Sequence, residues 1–137
     1  MALQLSVAVR NAMLDAIETT IGTSAVLKIR TGAAPASVAT ADSGTVLATL
    51  TLPSDWMAAA SSGSKAKSGT WEDASADAAG TAAHYRIYAS DGTTAHLQGT
   101  VTATGGGGAL TVDTVVFAAG QSFTVTSCSI TEANSQP

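Results

Sequence analysis

The stretch Ala82-Ala-His-Tyr-Arg-Ile-Tyr-Ala-Ser-Asp-Gly-Thr-Thr-Ala-His-Leu-Gln-Gly-Thr-Val-Thr-Ala103 decides the fold. Successive side chains of a strand point to opposite faces. Tyr85, Ile87 and Ala89 alternate here against His84, Arg86 and Tyr88. Further along, Leu97, Gly99, Val101 and Ala103 alternate against His96, Gln98, Thr100 and Thr102. Asp91-Gly92 between the two runs is a turn signal, so the pattern is a β-hairpin. A two-residue turn would set Ile87 opposite His96 and place a histidine on the apolar face. The loop Asp91-Gly92-Thr93 instead pairs Ile87 with Leu97 and Tyr85 with Gly99. Because a slip of one residue reverses the faces, this second register is expected. It asks Gly92 for a left-handed conformation and lets Tyr85 cover the space that Gly99 leaves empty.

Similar runs extend to both sides. Leu27 and Ile29 alternate against Lys28 and Arg30. Val46, Ala48, Leu50 and Leu52 form the inward face of the next strand, which Pro53 closes because proline cannot donate to a sheet ladder. Trp71 opens a further strand, followed by a surface loop over residues 73–80. Residues 110–117 and 122–131 add two or three strands. In the last of them Phe123 and Val125 share one face while Cys128 and Ile130 share the other, which predicts a bulge near Thr126-Ser127. Two loops of small residues, 32–44 and 58–69, are expected to extend from the body towards neighbours, the second either flexible or a short edge. The expected fold is mainly β, a single-domain β-sandwich of jelly-roll or immunoglobulin-like type.

The run Gly105-Gly-Gly-Gly108 invites comparison with a phosphate cradle. That motif requires a lysine and a hydroxyl at fixed spacing ahead of a helix. Ala109-Leu-Thr-Val-Asp113 follows instead, strand-like and without lysine, so a flexible or strongly bent connection is expected.

Only Ser6-Val-Ala-Val-Arg-Asn-Ala-Met-Leu-Asp-Ala-Ile-Glu-Thr-Thr-Ile-Gly22 carries a helical period. Leu5, Val9, Met13 with Ala12, Ile17 with Ala16, and Ile21 with Thr20 fall on one apolar stripe. Ser6 suits the N-cap and Gly22 the C-terminal cap. Arg10, Asp15 and Glu18 lie outside the stripe and are expected to face water. Two arrangements are open: a lid over the β-domain, or an arm that docks on a neighbouring subunit. The chain accordingly divides into a helix or arm at residues 1–23, packed on or exchanged with a β-domain at residues 24–137.

Composition narrows the function. Aromatic residues make up 4% of the chain and charged residues 12%, so the core is thin and leans on Trp56, Trp71, Tyr85, Tyr88, Phe117 and Phe123. Net charge is −4 and the six Lys and Arg are scattered, which leaves no electrostatic footprint for nucleic acid. No apolar run approaches the roughly 20 residues of a membrane span. The N-terminus lacks the charged start and apolar core of a signal peptide, so the chain is expected to stay in the cytoplasm where it is made unless it leaves within a particle. Cys128 is the only cysteine, excluding an intrachain disulfide, and reads as a small buried hydrophobe. His84 and His96 have no carboxylate beside them on their strands, so neither a metal nor another cofactor is expected. Asp55, Glu72, Asp73, Asp77, Asp91 and Asp113 sit beside turn residues, where carboxylates cap loops. No serine stands in a G-x-S-x-G elbow, and no carboxylate pair is singled out for glycoside hydrolysis. No catalytic residue is expected.

Arg10-Asn-Ala-Met-Leu-Asp-Ala-Ile-Glu18, Leu27-Lys-Ile-Arg-Thr-Gly-Ala-Ala-Pro35, Leu52-Pro-Ser-Asp-Trp-Met57, His84-Tyr-Arg-Ile-Tyr88 and Gly99-Thr-Val-Thr-Ala-Thr-Gly-Gly-Gly-Gly108 resemble a family of small structural proteins of tailed bacteriophages. The resemblance runs along essentially the whole chain and identifies no active site. It implies a virion component, a capsid decoration or cement protein that contacts the major capsid protein and copies of itself. The contact residues expected on that basis are Leu5, Val9, Met13 and Ile17 on the helix, together with Asp55, Trp56 and Met57 and the 58–69 loop. Trp56 would serve as an interface anchor or else cap the core. A tail or baseplate component is the first alternative, and a small glycan-binding or hydrolytic module the second.

Overall fold

The computed structural model describes residues 3–132 and the backbone of residues 135–136; the outermost positions of the two segments proposed above lie outside the described residues. In chain order the elements are β1 (Leu3–Gln4), α1 (Val7–Ile21), β2 (Val26–Arg30), β3 (Val46–Thr51) and β4 (Ser64–Ala66). There follow β5 (Glu72–Asp73), β6 (Gly80–Thr81), β7 (His84–Tyr88) and β8 (Ala95–Ala103). The last are β9 (Leu110–Val112), β10 (Val116–Phe117), β11 (Phe123–Thr131) and β12 (Ser135–Gln136). The fold is mainly β, with one helix and a mixed sheet in the order β3-β2-β7-β8-β9-β11-β4, to which β5 adds by pairing with β11. Two short ribbons, β1 with β12 and β6 with β10, stand apart from it.

The hairpin adopts the register that its alternation predicts: Tyr85 opposes Gly99 and Ile87 opposes Leu97. A Cβ on Gly99 would come within 2.8 Å of the Tyr85 ring, so the tyrosine fills that space. Gly92 is left-handed as expected, with φ of 71°. The turn itself differs. Tyr88 pairs with Ala95, so His96 becomes an extra, bulged residue. The Ala89 amide donates to the Thr94 carbonyl at 3.0 Å, leaving residues 90–93 as the turn. Asp91 accounts for the longer loop, because its carboxylate accepts the amides of Thr93 and Thr94 at 2.9 and 2.8 Å. With the Thr94 hydroxyl as the strongest contributor, these bonds hold the Asp91 pKa at about 2.

One face of the sheet is continuous and apolar. Leu27, Ile29, Leu50, Ile87, Val112 and Val125 are buried on it and share a single core with both tryptophans and both phenylalanines. The sheet curls so that β5 returns against β3. The Asp77 amide seals that seam by donating to the Leu47 carbonyl at 2.7 Å. Between Val125 and Ser127 the β11 register shifts, producing the bulge that the change of phase predicts. Cys128 then joins the same core, 2% exposed, where burial pushes its thiol up to about 11.

β8 and β9 run parallel, with Val101 opposite Leu110, although only residues 104–109 connect them. Parallel neighbours ordinarily need a crossover of about a dozen residues or more. The glycine run shortens it by lying flat on Thr102, whose hydroxyl accepts the Gly108 amide at 2.9 Å. A Cβ at Gly106 or Gly108 would meet Thr102 at 2.7 or 2.8 Å. The run is therefore the strongly bent connection of the two expected forms.

The 32–44 loop does not extend towards neighbours. It folds over the outer face of β2, β7 and β8, because Arg30 and Arg86 stand there and a buried cation requires a countercharge. Asp42 supplies it, 2.9 Å from Arg30 and 2.8 Å from Arg86. The Tyr88 hydroxyl donates to the same carboxylate at 2.7 Å. Arg86 also donates to the Ser37 and Thr40 carbonyls, both at 2.9 Å. Burial by itself would raise the Asp42 pKa, but Tyr88, Arg86 and Arg30 together hold it below the ordinary carboxylate range. His84 lies under the same loop with its Nδ1–H donating to the Gly32 carbonyl at 2.7 Å.

Candidate interaction surface on the N-terminal helix

The ends of α1 follow from their caps. The Ser6 hydroxyl accepts the Val9 amide at 3.2 Å, and the Gly22 amide donates back to the Glu18 carbonyl at 2.8 Å with φ of 88°. The orientation of the helix corrects the expected one. Asp15 and Glu18 do not point freely into water; together with Asn11 they bind the segment that carries β4. The Asn11 side-chain oxygen accepts the Gly63 amide at 2.9 Å, Asp15 accepts that of Ala60 at 2.9 Å, and Glu18 accepts that of Met57 at 3.1 Å. Positions separated by four and then three residues share one helix face. They meet amides at every third residue of a segment running the opposite way.

Lys65 completes this attachment. Its side chain is 2% exposed, and its ammonium lies 2.7 Å from Asp15 and 3.2 Å from Glu18. It also donates to the Ala58 carbonyl at 2.9 Å. Burial alone would lower the Lys65 pKa; Asp15 and Glu18 outweigh it and raise the value. Asp15 in turn is lowered, first by the Lys65 hydrogen bond and then by the Ala60 amide. Arg10 donates to the Glu132 carbonyl at 3.3 Å, so it too is turned to the body. The 58–69 loop is thereby resolved into a short edge: β4 pairs with β11 and is clasped by the helix.

With its polar edge turned inward, α1 presents much of its apolar stripe outward. Val9 and Met13 are 46% and 45% exposed, Leu5 and Ile17 half-buried, and Leu14 and Ile21 buried. Asp55 is exposed but Trp56 and Met57 are not, at 0% and 1%. The expectation that those two are contact residues is corrected. The Trp56 indole donates to the Gly22 carbonyl at 3.2 Å and its ring stands 6.1 Å from that of Trp71. A thin core draws its few large side chains inside, since burial of a large apolar side chain stabilises by roughly 1.5–3 kcal/mol.

Beside the stripe lies a shallow groove of about 260 Å³, lined by Met13, Ala16, Ile17, Thr20, Ile21 and His96. The hairpin bulge brings His96 there, while His84 sits under the 32–44 loop, so the two histidines are not brought together. Among the described residues no three His, Cys, Asp or Glu side chains gather into a metal-binding group. No helix among them is long and apolar enough to cross a membrane. Sequence reasoning missed Asn11, Lys65 and the inward turn of Asp15 and Glu18; the spacing of Asn11, Asp15 and Glu18 along one helix face was the available signal. No family model, curated protein or solved structure matches the chain.

Proposed function

We propose that this chain is a non-enzymatic structural subunit of a tailed-bacteriophage virion, a capsid decoration or cement protein that bridges major capsid subunits. Assembly in the host cytoplasm and residence in the virion follow from that role. The observation that carries it is the outward pair Val9 and Met13, flanked by the half-buried Ile17 and by Leu5 just ahead of the helix, on a helix tied by its opposite edge to a β-body. A shell needs no chemistry from such a subunit, only complementary surfaces repeated by symmetry. The stretches that resemble small phage structural proteins supply the setting. In this reading the curled sheet is a β-sandwich of jelly-roll or immunoglobulin-like type, with the helix on one side of it. Asp15 and Glu18, carboxylates close enough to share Lys65, are engaged in attaching the helix, which favours a binding role over hydrolysis.

The test is binding to shells assembled from the major capsid protein. Co-sedimentation at a fixed ratio and added density at regular lattice positions are expected, and Val9→Glu should weaken binding at least tenfold. Virions in which the labelled subunit is found on the tail, or not at all, would overturn the proposal.

A further inference from the structure

His84 lies under the 32–44 loop, 1% exposed, with its Nδ1–H on the Gly32 carbonyl at 2.7 Å. Its other ring nitrogen, Nε2, is equally enclosed and has no hydrogen-bond partner. The charges that face it are mostly positive. Arg30 stands directly opposite on β2 and Arg86 two positions along β7, while β8 contributes the uncharged Thr100 and Gln98. The overlying loop offers a single carboxylate, Asp42, and both of its oxygens are engaged. Arg86 and the Tyr88 hydroxyl share one oxygen and Arg30 takes the other. A proton on Nε2 would add a third cation to an enclosed site with no free anion, and burying an uncompensated charge is costly.

The loop is also built to part from the sheet. Gly32 and Gly44 bound it, each left-handed with φ of 75°, and glycines at both ends suit a hinge. Both hinge carbonyls are held from below, Gly32 by His84 and Gly44 by Arg30 at 3.4 Å. No residue between the two glycines is buried, so polar contacts rather than apolar burial keep the loop down. Segments with few buried apolar contacts open at the lowest cost.

We infer that the 32–44 loop is an acid-released strap: protonation of His84 lifts it and uncovers a cationic face of Arg30, His84 and Arg86. The inference does not depend on what α1 contacts. A free imidazole takes up its proton near pH 6.5. The closed strap excludes that proton and the open one admits it, so acidification draws the population towards the open form. Asp42 is not the trigger at this pH, because Tyr88, Arg86 and Arg30 hold its carboxyl below the ordinary range.

A nitroxide on the strap tests this, attached through Ala39→Cys at an exposed position while the native Cys128 is buried. Between pH 7.5 and pH 5 the ratio of mobile to immobile label is expected to rise about tenfold, with far-ultraviolet circular dichroism unchanged. The midpoint of that rise should coincide with the titration of the His84 ring followed by NMR in the same protein, with the exposed His96 as internal reference. Adding His84→Asn, which keeps a donor for the Gly32 carbonyl but takes up no proton, should leave the label immobile at both pH values. A label equally immobile at both pH values in the parent would overturn the strap. So would a rise that His84→Asn leaves intact, or one whose midpoint departs from the His84 titration. Should His84→Asn loosen the strap already at pH 7.5, the agreement of the two midpoints in the parent decides.

Discussion

Two segments of small residues, 32–44 and 57–66, are tied to the body by ion pairs of opposite construction. Over the sheet, one carboxylate on the loop serves two cations: Asp42 holds both Arg30 and Arg86. Beside the helix, two carboxylates serve one cation, with Asp15 and Glu18 both on Lys65. The first anchor has no substitute for its single acid, whereas the second has a spare. Arg30 and Arg86 lie beneath the 32–44 loop and draw it down, whereas Lys65 belongs to its own segment and is drawn onto the helix carboxylates. Loops that read as solvent-facing are thereby ordered, and the difference in construction decides how each should fail.

The largest effect is expected from Asp42→Ala, which leaves two buried guanidiniums without a countercharge. Because Asp42 is itself 36% exposed and solvent can reach the site, the expected loss is about 1–3 kcal/mol. Urea unfolding should show that loss, while Asp15→Ala, with Glu18 still on Lys65, should show a smaller one. Equal losses would break the comparison.

A sharper form uses the spare acid. Asp15→Ala and Glu18→Ala singly should be mild, and the double variant should lose more than the two combined, because only then is Lys65 stranded. Coupling of this sign is expected for groups that share a partner. A double-mutant cycle on unfolding free energies reads it, and strict additivity would show that the acids do not substitute for each other.

The smallest effect is the pH dependence. Asp42, Asp15 and Asp91 all have folded-state pKa values below the ordinary 3.8. A lowered carboxylate pKa contributes stability that is fully present above the ordinary value and is lost as pH falls through the folded one. In the His84→Asn background the urea midpoint should therefore be level above about pH 5 and decline below about pH 4. Asp42→Asn should flatten that decline more than Asp15→Asn does, because Asp42 faces two cations. An acid limb unchanged by Asp42→Asn would remove Asp42 as its source.

Much of this is legible in the sequence alone. Period-two alternation with the short Asp91-Gly92 turn settled the hairpin register, because a slip of one residue turns an apolar face outward. Ser6 and Gly22 marked the helix ends, and the phase change around Thr126 marked a bulge, since each of these is a local backbone requirement. The 32–44 loop was not readable. Its composition looks solvent-seeking, and what holds it down, Arg86, lies more than forty positions further along the chain. Asp15, Glu18 and Lys65 were opaque in the same way, since polar residues outside an apolar stripe ordinarily face water.

By itself, then, the sequence determined the longer strands and the helix, where that helix begins and ends, and which faces of those strands are apolar, while the short strands β1, β4, β6 and β12 were left open or read as loop. Those are consequences of side-chain period and of backbone conformations that only particular residues adopt. Only the tertiary structure decided which side of the helix meets the body. Lys65 and the amides of Met57, Ala60 and Gly63 needed acceptors that Asn11, Asp15 and Glu18 supplied, and a buried cation without its anion costs more than an exposed apolar strip. Met13 and Val9 were left facing out for that reason.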